Sequence, residues 1–185
     1  MIRRTKVFLE EFFAYFGDEP MREGLLDTPK RFFKAWDEML SGYKKDPAEI
    51  LSARFTSSAT GMICCRDIEL YSTCEHHVLP FFGRAHIAYV PDGAVVGISK
   101  LVRLIECYAR RLQIQEELTE QVANAIMEEL NPRGCMVIVE AQHLCMKARG
   151  VKNHSSVMVT SAIRGVMEDK ECRQEALTLL LRGEK

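Results

Sequence analysis

The fold of this chain is decided by the stretch Arg84–Ile98, which reads RAHIAYVPDGAVVGI. Its first seven residues are rich in β-branched and aromatic side chains, which favour a strand. The Pro-Asp-Gly tripeptide that follows at residues 91–93 is typical of a turn. The stretch therefore predicts a β-hairpin whose strands are Arg84–Val90 and Ala94–Ile98.

The segments on both sides of this hairpin extend the pattern. Met62–Tyr71 has strand composition and precedes it. Two helices are predicted after it, the first capped by Ser99. Apolar residues recur at helical spacing in the first helix and then in the second: Leu101, Leu104, Ile105, Tyr108 and Leu112, then Val122, Ala123, Ile126 and Leu130.

The two ends of the chain complete the predicted order. Phe8–Phe16 and Thr28–Leu40 have amphipathic helical patterns, and Glu171–Leu181 is also predicted to be helical. Cys135–Met146 and Val157–Ile163 are predicted to be strands. This order indicates an α+β domain in which helices cover an antiparallel sheet.

Composition restricts the classes of function. With 185 residues, of which 47% are hydrophobic, the chain can bury one full core. Its 25 Lys and Arg balance 26 Asp and Glu, so no net positive field favours nucleic acid or an anionic membrane. Seven cysteines at irregular positions, without a secretory signal or a membrane-spanning run, predict reduced thiols in a cytoplasmic protein.

The chemistry is concentrated in two short motifs. Ser72–Pro80 contains Cys74, His76 and His77, and a second motif places His143 and Cys145 two residues apart. Strand alternation would point positions 143 and 145 to one face. Zinc prefers such sulfur and nitrogen donors, and three ligands leave a fourth position for water. Cys74, His77 and Cys145 are thus predicted metal ligands, with His76 and His143 as proton-transfer groups.

Other interpretations of these residues stay open at this point. A lone Cys or His is commonly a buried core residue. A structural zinc site is the stronger rival, with Cys64, Cys65 or a spare histidine as fourth ligand. Spacing alone does not separate the structural site from the catalytic one.

A phosphate site is a further hypothesis. Ser99 and Lys100 at a helix start offer backbone N–H groups, the helix dipole and an ammonium group to an anion. Several other basic residues lie near the same motifs in sequence: Arg103, Arg110, Arg111, Lys147 and Arg149.

Four motifs, in order, resemble the GTP cyclohydrolase I family. They are Gly24–Arg31, Ser72–Pro80, Gly97–Arg103 with Gln113–Glu116, and His143–Gly150. The resemblance implies the tunnelling fold, an antiparallel sheet with a helical pair on one face. It divides the chain into an N-terminal helical extension, residues 1–60, and a catalytic domain, residues 61–185. It also implies a homodecamer of two pentameric rings with active sites between subunits.

The same resemblance assigns roles to individual residues. It implies the zinc ligands Cys74, His77 and Cys145, which agree with the set chosen on chemical grounds, and the catalytic histidines His76 and His143. Glu116 is the implied guanine-recognising carboxylate, with Gln115 beside it. The implied triphosphate contacts are Lys100, Arg103 and Arg149, with Arg31 as a further contributor and Ser99 near the ribose.

The implied reaction is the zinc-dependent hydrolysis of GTP to 7,8-dihydroneopterin triphosphate and formate, the first step of pterin or folate biosynthesis. Two alternatives are a deazaguanine nitrile reductase of the same fold and a non-catalytic pterin- or nucleotide-binding module. The intact ligand triad counts against the reductase, which needs no metal. Val157 and Met158 depart from the polar strand of the family, which indicates repacking at a subunit interface or altered ligand contacts, and we favour repacking because every catalytic position is intact. Arg164 also lies where an apolar residue is expected.

Overall fold

A computed structural model describes residues 2–181, with side chains described from residue 6 onward. The helices are α1 (Ile2–Tyr15), α2 (Thr28–Met39), α3 (Pro47–Leu51), α4 (Ile98–Ala109), α5 (Gln115–Leu130), α6 (Leu144–Lys147) and α7 (Lys170–Leu181). The strands are β1 (Arg54–Thr56), β2 (Ile63–Cys74), β3 (Leu79–Val90), β4 (Ala94–Val96), β5 (Leu112–Gln113), β6 (Gly134–His143) and β7 (Met158–Gly165).

The chain divides into two compact units, Met1–Leu40 and Ser41–Lys185. The first contains α1 and α2, which confirms the two predicted N-terminal helices. The second contains all seven strands and the other helices. The predicted functional boundary between residues 60 and 61 stays a prediction. Within residues 2–181 the helices are too short or too polar for any of them to cross a membrane.

The main sheet has five strands in the order β5-β2-β3-β6-β7. The long strands β2, β3, β6 and β7 pair antiparallel, and only the two-residue β5 runs parallel to its neighbour β2. Strand β3 lies at the centre, where Phe81 pairs with both Ser72 and His143. This arrangement confirms the predicted α+β class and its antiparallel sheet.

The predicted hairpin between Arg84–Val90 and Ala94–Ile98 is wrong. The two segments do follow each other through the Pro-Asp-Gly turn, but β4 pairs with β1 in a separate two-stranded sheet. Both edges of β3 are already hydrogen-bonded, to β2 on one side and to β6 on the other. No ladder position on β3 is therefore available to β4, and the turn directs the chain to a different partner.

The helical pair α4 and α5 covers one face of the sheet. Leu101, Leu104 and Ile105 of α4 and Leu118, Val122 and Ile126 of α5 are buried against it. These residues follow the i, i+3, i+4 spacing of an amphipathic helix. Helix α5 ends at Leu130, because the next residue, Asn131, has a left-handed conformation at φ 48° and is followed by a proline. The predicted helical pair on one face is confirmed.

Helix α7 packs on the opposite face of the sheet, and a second, smaller core lies under it. Its buried members are Ala88, Val90, Met136, Ile138, Met167, Ala176 and Leu180.

Arg164, a departure from the family pattern, connects edge strand β7 to α5. Its guanidinium donates to Asn124 Oδ1 at 2.9 Å and to the Glu120 carboxylate. A charged residue is accommodated there because both partners come from the polar side of α5.

Close packing of β3 against β6 makes a test of the sheet register possible. A Cβ added at Gly83 would lie 2.7 Å from Ala141 Cα and closer still to the Glu140 carbonyl oxygen. Both are backbone atoms that cannot move without breaking the ladder. We expect Gly83→Ala to lower the free energy of unfolding by about 3 kcal/mol, measured by urea denaturation.

Gly61→Ala is the matched control for this substitution. A Cβ at Gly61 meets nothing within 4 Å, and its φ is not in the left-handed region. We expect its denaturation midpoint to equal that of the parent protein. Equal midpoints for both variants would contradict the close approach of β3 and β6.

Candidate active site

The candidate site forms where β2 ends, β3 begins and β6 ends. Cys74 is the last residue of β2 and pairs with Leu79 of β3 and Gln113 of β5. A tight turn, residues 75–78, joins β2 to β3, with Val78 N donating to Cys74 O at 2.8 Å. The Glu75 amide donates to Gln113 O at 3.0 Å, which fastens this turn to β5.

The turn brings His77 back over Cys74. The Cys74 Sγ to His77 Nδ1 distance is 3.8 Å. On its other side, His77 Nε2 lies 3.3 Å from Nη1 of Arg149. His77 therefore lies between a thiol and a guanidinium group. His76 points elsewhere: it is exposed, with Nε2 3.8 Å from the Glu75 carboxylate.

Cys145 completes a cluster of three donors. Donor atoms of Cys74, His77 and Cys145 lie within 4.8 Å of one another, and no other Cys, His, Asp or Glu group of this kind occurs in the described part of the chain. Cys64 and Cys65 are not members of the cluster. The structure thus brings together the three predicted metal ligands.

The route by which Cys145 reaches this position differs from the prediction. Strand β6 ends at His143, and Leu144–Lys147 is a short helix, so residues 143 and 145 do not share one face of a strand. β6 loses its partner β7 after Ala141 but stays paired with β3 as far as His143, where the chain leaves the sheet. The helical turn then carries the Cys145 thiol towards Cys74.

The electrostatics of the cluster favour a cation. Burial raises the pKa of the Cys145 thiol, the neighbouring Cys74 raises it further, and Arg149 opposes both effects. Two thiolates at this distance repel each other, so both ionise readily only when a positive charge lies between them. The donor set of two sulfurs and one imidazole matches the preference of zinc.

His143 lies beside this cluster in a well-defined environment. Its ring stacks on Phe81, with centroids 4.5 Å apart and an interplanar angle of 7°. Its Nε2 lies 2.8 Å from Oε1 of Gln115. Burial lowers the pKa of the His143 imidazole, and the exposed carboxylate of Glu116 acts in the opposite direction. Glu116 and Gln115 both lie in the first turn of α5.

Gln115 differs from the other predicted substrate contacts because its side chain is only 1% exposed. Its amide is hydrogen-bonded to backbone carbonyls, to Thr160 and to His143. Thr160 in turn contacts Thr119. Sequence reasoning gave no role to these two threonines, since isolated hydroxyls on a helix and a strand carry no motif.

The predicted phosphate contacts on α4 lie apart from the cluster. Helix α4 ends at Ala109, and three residues later Leu112 pairs with Thr73, next to Cys74. At 1.5 Å per residue, Lys100 lies about 14 Å along the helix axis from that end, and Arg103 about 9 Å. Ser99 is not the cap: the helix begins at Ile98, with Gly97 before it, and Ser99 lies exposed in its first turn. Arg31 belongs to the first compact unit, where it pairs with Asp27 at 3.5 Å.

Fold and site together define a tunnelling-fold protein with a sulfur- and imidazole-rich centre of the kind that binds a transition metal. The family model of GTP cyclohydrolase I matches residues 5–181. The chain belongs to the GTP cyclohydrolase I family of enzymes. This family assignment confirms the predicted enzyme class and counts against the nitrile reductase and the non-catalytic module.

Individual relatives agree with this assignment over nearly their full length. GTP cyclohydrolase 1 of Wolinella succinogenes is 54% identical over 176 residues, covering 92% of this chain and 94% of the relative. That of Leptospira biflexa is 48% identical over 177 residues, covering 95% and 97%. Among solved structures, an archaeosine synthase QueF-Like in the apo form has 19% identity and a TM-score of 0.46, covering 59% of this chain and 97% of that one.

Proposed function

We propose that the protein is a zinc-dependent hydrolase that converts GTP and water to 7,8-dihydroneopterin triphosphate and formate, at the start of pterin or folate biosynthesis. The observation that carries this proposal is the convergence of Cys74, His77 and Cys145 within 4.8 Å. The family assignment supports GTP as the substrate, because the relatives bear that activity in their names. Zinc held by these three residues would supply Lewis-acid activation of water at neutral pH.

The residues around the cluster suit proton transfer and guanine binding. His143 would donate a proton to the imidazole ring of guanine during hydrolysis, since it is half-buried and its ring is held by Phe81. The exposed carboxylate of Glu116, close to His143, would accept the guanine amino and ring N–H groups. His76, exposed in the same turn as His77, would assist opening of the ribose.

We propose that Lys100 and Arg103, with Ser99 and Arg31, act on the triphosphate from a neighbouring copy of the chain. Within one chain the first two residues lie about 9 to 14 Å along α4 from the end nearest Cys74. Arg149, by contrast, already contacts His77. One copy would then supply the metal ligands, and the next copy would supply the cations of α4.

The edges of the sheet support such an assembly. β7 has no strand on its outer side among the described residues, and β5 covers only the last two residues of β2. One copy can therefore add its free β2 edge to the β7 edge of the next, a head-to-tail contact that closes into a ring. We propose the homodecamer of two stacked pentameric rings that the family resemblance implies.

Product analysis is the direct test of the reaction. We expect purified, zinc-loaded protein incubated with GTP to release formate and a pterin that fluoresces after oxidation, in equal amounts. ATP is the control substrate, because adenine lacks the arrangement of amino and ring N–H groups from which Glu116 would accept hydrogen bonds in guanine. Absence of both products from zinc-loaded protein would overturn the proposal.

Two substitutions separate metal binding from proton transfer. Cys145→Ser removes a thiolate ligand, and we expect it to lose zinc and turnover together. His143→Ala is expected to keep its zinc while kcat falls about 100- to 10,000-fold, the usual contribution of a general acid or base. Metal content by atomic emission and steady-state kinetics measure both. An empty site in His143→Ala would show that the histidine is a ligand instead.

Subunit mixing tests whether each site is shared. Cys145→Ser and Lys100→Glu are both expected to be nearly inactive alone. Coexpressed, they should recover activity. When the two variants assemble at random into a ring, about a quarter of the interfaces combine an intact Cys145 on one copy with an intact Lys100 on the next. The control is coexpression of Cys145→Ser with His143→Ala, whose changes lie on the same half-site. Recovery in neither mixture would place the complete site in one chain.

A further inference from the structure

The inference concerns Gln113, the second residue of the two-residue strand β5. Gln113 is only 4% exposed, and its amide nitrogen is hydrogen-bonded to groups outside β5. Nε2 lies 2.9 Å from Tyr108 O in α4 and 2.8 Å from Oε1 of Gln121 in α5. A backbone carbonyl only accepts hydrogen bonds, so the NH2 group faces Tyr108, and one hydrogen serves each bond. Gln113 therefore fastens β5 to both helices of the pair.

The bond to Tyr108 closes the C-terminal end of α4. The last four carbonyl groups of a helix have no N–H partner within the helix. The amide of Leu112, four residues after Tyr108, does not supply one, because it donates to the Tyr43 hydroxyl at 3.1 Å. The amide of Gln113 takes its place as the donor to Tyr108 O. Strand β5 is thus attached to a helix end that would otherwise carry an unpaired carbonyl.

The backbone of Gln113 holds the turn that carries two of the metal ligands. Gln113 pairs with Cys74 in the parallel ladder between β5 and β2. Its carbonyl accepts from the amide of Glu75 at 3.0 Å, at the start of the turn that brings His77 over Cys74. Because this ladder has only two residue pairs, it is a weak attachment by itself. The position of the turn therefore depends on what holds Gln113.

This turn needs support from its surroundings because its own conformation is unfavourable. Val78, its last residue, has φ 54°, in the left-handed region that β-branched side chains rarely adopt. Such a conformation persists only where the surrounding contacts outweigh its cost. The bond from Val78 N to Cys74 O lies within the turn, whereas the bond from Glu75 N to Gln113 O ties the turn to β5.

We propose that Gln113 is a positioning residue for the metal. Its side chain fixes β5 on α4 and α5, and its carbonyl, acting through the Glu75 amide, holds Cys74 and His77 in place for zinc. This inference rests on the proposed function for the identity of the metal. A turn that already has the binding conformation loses less conformational entropy when the metal binds, so its affinity for the metal is higher.

Gln113→Met is the substitution that tests the proposal. Methionine keeps the length of the side chain and loses both donors, and the backbone carbonyl stays. We expect the dissociation constant for zinc to rise about 10- to 100-fold, the usual cost of removing a group that supports metal ligands. Equilibrium competition between the zinc-loaded, full-length protein and a chromophoric chelator measures it without turnover. An unchanged dissociation constant in a folded variant overturns the proposal.

Gln174→Met is the matched control. Gln174 is exposed on α7, and its backbone carbonyl accepts from Thr178 Oγ1 at 2.8 Å, a bond that the substitution leaves intact. We expect this variant to have the parent dissociation constant for zinc. A similar rise in both variants would show that replacing any glutamine by methionine weakens zinc binding, and would contradict the role of Gln113.

Hydrogen–deuterium exchange tests the same contact in the parent protein. We expect slow exchange at the Glu75 amide of the zinc-loaded parent, because this amide donates to Gln113 O. In Gln113→Met we expect exchange at Glu75 to be about tenfold faster, with β3 and β6 unchanged, as measured by mass spectrometry at residue resolution. Rapid exchange at Glu75 in the parent overturns the inference even if Gln113→Met does not fold. Faster exchange spread evenly over the sheet would show that Gln113 stabilises the fold alone.

Zinc affinity and product analysis together separate this inference from the proposed function. If the parent releases no formate but binds zinc more tightly than Gln113→Met, the positioning role stands and the assigned reaction fails. If the parent releases formate and Gln113→Met binds zinc equally tightly, the assigned reaction stands and the inference is wrong.

Discussion

The antiparallel pairing of β3 with both β2 and β6 is the constraint on which the site depends. It places Cys74 at one side of the start of β3 and His143 at the other, with Phe81 between them. Because side chains alternate between the faces of a strand, a register shift of one residue would send His143 to the opposite face. Gly83 permits this pairing, since any Cβ there would meet the β6 backbone.

Backbone strain at the turn between β2 and β3 is a second contribution to the site. Val78 has φ 54°, a left-handed conformation that is unfavourable for a β-branched residue. The hydrogen bonds from Val78 N to Cys74 O and from Glu75 N to Gln113 O hold the turn against this strain. The result is that His77 lies over Cys74, so the sheet stabilises a conformation that the isolated turn would avoid.

The groups suited to metal binding or proton transfer and the candidate phosphate contacts come from different parts of the chain. Groups suited to hold a metal or move a proton come from the ends of β2 and β6, where the sheet positions them within a few ångströms. Candidate phosphate contacts come mainly from the opposite end of α4. Helix α4 therefore separates the two sets of groups within one chain.

Much of this protein follows from its sequence alone. Amphipathic spacing identifies the helices, because a helix must bury one stripe of apolar residues, and the α4 and α5 stripes do pack on the sheet. The donor types of Cys74, His77 and Cys145 indicate a metal because few other chemistries need two thiols and an imidazole. Apolar spacing and donor type are properties of the residues themselves, so the sequence carries them directly.

Other features were decided only by the tertiary structure. β4 pairs with β1 because β3 has no free edge, which the turn at residues 91–93 does not reveal. Cys145 reaches the cluster on a helical turn because β6 ends at His143, before the cysteine. Gln115 is directed at His143 because carbonyls of β6 and β7 accept its amide hydrogens. Each outcome depends on which distant strands compete for one edge or one hydrogen bond, and no local pattern contains that information.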